Sequence, residues 1–192
     1  MMRVLFILGL LMVVISCSKK SETAQDDLNS AYANDLMYKI TSEGIGNINL
    51  GGAFELVENN LPVAEMENAY EEEDDSGLYL IRLAESDEFN LSVQVGYGDI
   101  IAMTVLTPPF TTEKGISPKT SNLADLKNYY TIEDLWVPNA GVLHIGVKEL
   151  PNITFVFEEK NLLTLTEGAE IQLADLPGGL VLTKIELYKA VQ

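Results

Sequence analysis

Gly77-Leu78-Tyr79-Leu80-Ile81-Arg82-Leu83 and Gly141-Val142-Leu143-His144-Ile145-Gly146-Val147 are the stretches on which the fold turns. Each sets apolar side chains at every second position, the period of a half-buried antiparallel strand. Their likeness extends outward at one constant offset. Phe89-Asn90-Leu91-Ser92-Val93 aligns with Ile153-Thr154-Phe155-Val156-Phe157. The third strands are Ile100-Ile101-Ala102-Met103-Thr104-Val105 and Leu182-Thr183-Lys184-Ile185-Glu186-Leu187. Tyr97-Gly98-Asp99 and Pro177-Gly178-Gly179 supply turn chemistry. In the second copy the third strand is delayed by an insertion over about Leu163 to Gly179, expected either to be the specificity element for a partner or to cover a sheet edge or its open end with Ile171, Leu173 and Leu176.

Upstream of each strand group lies a helix-like stretch, Ala53-Phe54-Glu55-Leu56-Val57-Glu58-Asn59-Asn60 and Leu123-Ala124-Asp125-Leu126-Lys127-Asn128-Tyr129-Tyr130. The second buries Leu123, Leu126 and Tyr130 at spacings of three and four, with Ser121-Asn122 as its cap. Before each helix runs an extended segment, Met37 to Gly46 and Pro109 to Ser117. The pattern predicts an α+β fold: a helix plus a three-stranded antiparallel meander, duplicated, with both helices on one face of a mostly antiparallel sheet. The copies span about 36–107 and 108–192 and together form one globular domain, 36–192.

The other end of the chain has a different character. Met1-Met2-Arg3 is a short cationic start, Val4 to Ile15 carries no charge, and Val14-Ile15-Ser16-Cys17 closes the run on the only cysteine. About 20 apolar residues are needed to span a bilayer, so this run is a processed targeting segment by length. It resembles a bacterial lipoprotein signal, which implies cleavage after Ser16 (signal peptide 1–16) and acylation of Cys17. By the same resemblance, Ser18 in place of aspartate favours the outer membrane. Lys19-Lys20, where surface-exported lipoproteins carry acids, favours its periplasmic face. Residues 17–35, polar and small from Ser18 onward, read as the lipidated cysteine and a flexible tether.

Ile40-Thr41-x-x-Gly44-Ile45-Gly46-x-Ile48-x-Leu50-Gly51 resembles the opening of small, uncharacterised Gram-negative lipoproteins. Thr112-Glu113-Lys114-Gly115-Ile116-Ser117-Pro118-Lys119-Thr120-Ser121, continued by Asp125-Leu126 and Tyr129, is similar to their second block. Pro118-Lys119 departs from the pattern, standing where such families carry a glycine before the helix. The helix-plus-meander layout also resembles the β-lactamase-inhibitor-protein fold and the accessory lipoprotein of the outer-membrane barrel-assembly machine. Those are binding modules, and the resemblance implies a binding role without assigning any residue to it.

Charge narrows the classes further. Twenty-nine acidic residues against 12 basic give a net charge of −17, which opposes nucleic acid and anionic lipid surfaces alike. No cysteine remains for a disulfide or a metal once Cys17 is acylated. His144 is the sole histidine, and if Leu143 and Ile145 face the core it faces the other way. No nucleophile is placed beside it, so it reads as a strand histidine and not a catalytic base. Glu71-Glu72-Glu73-Asp74-Asp75 lacks the alternation a calcium loop needs and reads as a solvated loop, with weak divalent-cation binding as the other possibility. Gly44, Gly46, Gly51 and Gly52 match neither a dinucleotide fingerprint nor a P-loop and are assigned to turns. Phe110, Tyr129, Tyr130 and Trp136 are the richest aromatic region, read as core, with a docking surface as the alternative.

These readings carry no catalytic, cofactor-binding or metal residue and name one modification site, Cys17. The expected function is that of an outer-membrane lipoprotein, non-catalytic, that binds or scaffolds another envelope protein. The competing expectation is a hydrolase of envelope polymers using paired carboxylates, which requires two such groups facing across a cleft.

Overall fold

A computed structural model describes residues 36–71, 76–158, 162 and 171–189. Cys17, the tether and the acids Glu72–Asp75 lie outside the described residues, as does the side chain of Glu71.

The described residues include twelve strands and two short helices, which follow one another in a simple order. Strands β1 (Lys39–Thr41), β2 (Gly44–Ile45) and β3 (Ile48–Asn49) are followed by helix α1 (Leu56–Asn60). A meander comes next: β4 (Val63–Glu71), β5 (Gly77–Leu83), β6 (Leu91–Gly96) and β7 (Asp99–Val105). Then β8 (Thr111–Thr112) and helix α2 (Leu123–Tyr129) precede β9 (Ile132–Asn139), β10 (Val142–Val147) and β11 (Leu150–Glu158). A 3-10 turn, Leu173–Asp175, leads to β12 (Lys184–Tyr188).

The long strands make one eight-stranded sheet in the order β4-β5-β6-β7-β12-β11-β10-β9, antiparallel throughout. The antiparallel sheet expected from the sequence is therefore present, and among the described residues strand far outweighs helix. Each meander has four strands and not three, because β4 and β9 form the outer edges. A second, four-stranded sheet (β3-β2-β1-β8) joins the two opening segments: β1 and β8 run parallel, with Ile40 opposite Thr112.

One face of the large sheet carries the core. In register across it run Ile145, Phe155, Ile185, Val105, Leu91 and Ile81, all fully buried. The same apolar cluster takes in Val57 from α1, Leu123 and Leu126 from α2, and Ile40, Ile45 and Ile48 from the small sheet. A side chain of this size contributes about 1.5–3 kcal/mol when it leaves water, so this layer is the main source of stability. Ile171, Leu173 and Leu176 also pack onto this cluster, and Gly178 accepts a hydrogen bond from the N–H of Ala124. The described part of the insertion thus lies against α2 and the core.

Local chemistry explains the connections. Tyr97 and Gly98 both have positive φ, at 54° and 81°, as a two-residue hairpin turn requires. At Gly44 a Cβ would fall 2.0 Å from the carbonyl oxygen of Ile48, so only glycine permits that hairpin. Lys119 stands at φ 61°, a left-handed conformation that favours glycine. The departure noted in the sequence therefore falls on a position of unfavourable backbone, where Lys119 pairs with Glu88.

Helix α2 closes on a reciprocal box in which Asn122 Oδ1 accepts from the N–H of Asp125 at 3.0 Å and Asp125 Oδ2 from that of Asn122 at 2.9 Å. Leu123, Leu126 and Tyr130 are buried, as the spacing predicts. Helix α1 is shorter than the predicted Ala53–Asn60. Ala53 bridges to Asp99 and so stays extended, and Glu55 at the N-cap makes no side-chain capping bond.

Candidate functional site

Strand alternation sends a second set of side chains to the outer face of the large sheet. Leu143 and Ile145 point into the core, and His144 between them points outward, as expected. Its ring meets the edge of Trp136 on β9, with centroids 5.2 Å apart and planes at 66°. In the register, His144 is followed across the sheet by Val156 and Lys184. The adjacent row runs Asp134, Gly146, Thr154, Glu186, Thr104, Ser92 and Leu80.

Lys184 is the hub of this face. Its Nζ lies 3.1 Å from Glu158 Oε1 and 3.2 Å from Glu186 Oε1. Glu186 is only 7% exposed, and Tyr188 Oη donates to its other oxygen. A carboxylate this deep needs partners, and it has an ammonium and a hydroxyl. Burial opposes the charge on Lys184, but hydrogen bonds to Glu158 and Glu186 prevail and raise its pKa. Burial and the Glu186 bond push the Tyr188 hydroxyl up. Burial, against a smaller pull from Glu186, holds His144 below its ordinary value. The patch therefore gathers the His144 imidazole, the Lys184 ammonium and the acidic side chains of Asp134, Glu158 and Glu186 on one face.

Trp136 is 40% exposed and Tyr188 is 47% exposed, so neither ring belongs to the core. The aromatic region predicted as core thus divides. Phe110 and Tyr130 are buried, whereas Tyr129 and Trp136 face solvent, and Trp136 lies on an edge strand and not in a post-helical turn. Lys184, Glu186 and Tyr188 escaped notice in the sequence. Their i, i+2, i+4 spacing in Lys-Ile-Glu-Leu-Tyr was the available signal, since it puts all three on one face of a strand.

A cleft of about 340 Å³ lies elsewhere, lined by Ile40, Thr41, Ser42, Glu113, Lys114, Tyr130, Glu149 and Leu150. Its two carboxylates, Glu113 and Glu149, are both exposed. Glu149 accepts hydrogen bonds from the N–H and hydroxyl of Thr131, the closest at 2.8 Å, and this lowers its pKa. Burial raises the pKa of Tyr130 there, against hydrogen bonds to Thr112 and the Lys114 backbone. An acid for glycoside cleavage needs a pKa raised by a dry pocket, and neither carboxylate has that setting. Among the described residues, no three His, Cys, Asp or Glu side chains gather as a metal site.

No family model matches the sequence, and no curated protein matches it. The structure is similar to the crystal structure of the uncharacterized protein YfeY from Escherichia coli. The TM-score is 0.54 at 11% identity, and the match covers 79% of this chain and 99% of that one. At such identity the likeness is one of fold alone.

Proposed function

We propose that this chain is a lipid-anchored, non-catalytic binding module of the Gram-negative cell envelope. Cys17 carries the acyl chains and residues 17–35 form the tether. The domain beyond presents its large sheet to another envelope protein at the periplasmic face of the outer membrane. The observation that supports the binding role is the outer face of the eight-stranded sheet. Its aromatic rings are exposed while its buried charges are already neutralised within the patch. The anchoring role stands on the Val14-Ile15-Ser16-Cys17 ending of the apolar run.

The same reading takes the domain as a duplicated unit. The strand order is symmetric about the β7–β12 seam, with a helix ahead of each four-stranded meander, which supports duplication. Val57, Leu123 and Leu126 join one apolar cluster with the inward strand residues, which supports helices on a common face.

Palmitate labelling of the full-length chain in a Gram-negative host tests the anchor. Label should appear on the wild type and vanish in Cys17→Ser, and globomycin should block processing. An unlabelled chain that keeps residues 1–16 overturns the anchor. A photo-crosslinker placed at Tyr188 tests the binding role, with a protein adduct expected in intact cells.

A further inference from the structure

We infer that the outer face of strands β9–β12 is a docking site for a basic protein segment, with Trp136 and Tyr188 as its aromatic anchors. This rests on the binding-module reading and adds the chemistry of the partner.

Charge supplies the first argument. Lys184 is the one ammonium among the described side chains on this face of the four strands, and Glu158 and Glu186 already hold it. Asp134 and Glu158 are exposed at the surface. An acidic partner would meet like charge with no uncommitted cation to receive it. A basic partner finds carboxylates beside exposed rings, and a guanidinium over an indole or phenol face gains from both. The same argument disfavours a second copy of this chain, whose net charge of −17 would bring acid to acid.

Size supplies the second. Three spacings of about 4.8 Å make the β9–β12 face about 14 Å wide, and five residues along each strand add about 17 Å. The resulting area of roughly 240 Å² is well below the ~800 Å² that each partner of a stable globular contact gives, and it matches a single extended segment. Trp136 on β9 and Tyr188 at the end of β12 bracket this area, and Trp and Tyr are among the residues that typically carry most of the binding energy at a contact.

Trp136 is the only tryptophan in the chain, so its emission reports on this face directly. The probe is a ten-residue peptide of alternating arginine and threonine, titrated into the full-length chain in detergent. Its counterpart carries glutamate in place of arginine. A saturable emission change is expected with the arginine peptide alone, its affinity falling about tenfold or more as salt screens the charges. Asp134→Asn with Glu158→Gln should weaken binding at least about tenfold, since two charge contacts are lost. Glu55→Gln with Glu58→Gln, on α1, should leave it unchanged. Circular dichroism confirms that both double variants are folded.

Equal binding of the two peptides, equal loss in the α1 control, or no emission change at millimolar peptide overturns the proposal. So does a dimer in sedimentation that buries Trp136. The crosslinker at Tyr188 separates the two levels of inference. An adduct with a partner whose contact surface is acidic overturns the basic segment and leaves the binding module standing. No adduct overturns both.

Discussion

Strands β4–β7 follow a five-residue helix without a side-chain cap, whereas β9–β12 follow a seven-residue helix closed by the Asn122–Asp125 box. The first meander turns from β6 to β7 through Tyr97-Gly98, while the second reaches β12 only after a long excursion past residue 158. On the core side the two are interchangeable in kind, rows of buried aliphatic residues broken by Phe155 and Phe157 in β11. On the outer side they part company. The first shows Ser92, Gln94, Leu80 and an exposed Arg82–Glu65 pair at 2.8 Å, and the second shows Trp136, His144, Lys184, Glu186 and Tyr188. One framework thus tolerates two different surfaces, because strand alternation separates the residues that hold the sheet together from those that face outward.

The strongest test of that comparison is whether the meanders stand or fall together. Phe155 on β11 is fully buried and stacks 5.9 Å from Tyr130. Phe155→Ala should cost about 3–5 kcal/mol, and Leu91→Ala on β6 about 2–5 kcal/mol. Both should shift a single denaturant transition, since β7 and β12 join the halves through Val105 and Ile185. Two transitions, with only one moved by Leu91→Ala, would divide the sheet at its seam.

The next effect belongs to the first meander alone. Asn90, 1% exposed, accepts from the N–H of Leu83 at 3.0 Å. Its amide donates to Thr107 Oγ1 at 2.7 Å and to the carbonyl of Pro108 at 2.6 Å. It ties the end of β5 to the segment after β7. Asn90→Ala deprives the Leu83 N–H of its side-chain acceptor, while Thr107 Oγ1 and the Pro108 carbonyl keep the bond between them, and should cost roughly 1–3 kcal/mol. Amide exchange at Leu83 should rise with it, and protection unchanged there would show that the corner closes without Asn90.

How much of this was legible follows from which strands were missed. The central strands announced themselves by alternation, because one of their faces is wholly apolar. β4 and β9 did not, and they are the two edges. Val63-Ala64-Glu65-Met66-Glu67-Asn68-Ala69-Tyr70-Glu71 offers only partly buried Val63 and Met66 to the core. Its Ala, Glu and Met favour helix in isolation, and its acids blunt an exposed edge. β9 carries Pro138, which edge strands tolerate and central strands do not. The outward orientation of His144 was legible from its two neighbours. The β11–β12 pairing was legible as the third strand of the meander, but the patch was not, because Trp136 comes from the edge strand β9, which no alternation announced.

Capping separates the helices by a smaller margin. Asn122→Ala removes the bond to the Asp125 N–H and should cost about 1 kcal/mol. Glu55→Ala at α1, where no such bond exists, should stay within about 0.5 kcal/mol. Equal losses at the two positions would mean that packing and not capping sets both helix starts.

The smallest effect discriminates the two outer faces by pH. His144 is the only histidine, so proton NMR follows it without assignment work. Burial beside Trp136 puts its folded pKa below the ordinary 6.5, so the unfolded chain holds a proton that the folded chain refuses in the interval between the two values. Stability is therefore full above pH 6.5, declines as pH falls through that interval and levels off beneath the folded value. The decline should be slight, because the ring keeps contact with solvent, and it should vanish in His144→Gln. The first meander has no histidine, so its outer face contributes nothing in this window. A midpoint for His144 above 6.5 would mean that Glu186, and not burial, governs the ring, and that the patch carries a positive charge where a basic partner requires a neutral one.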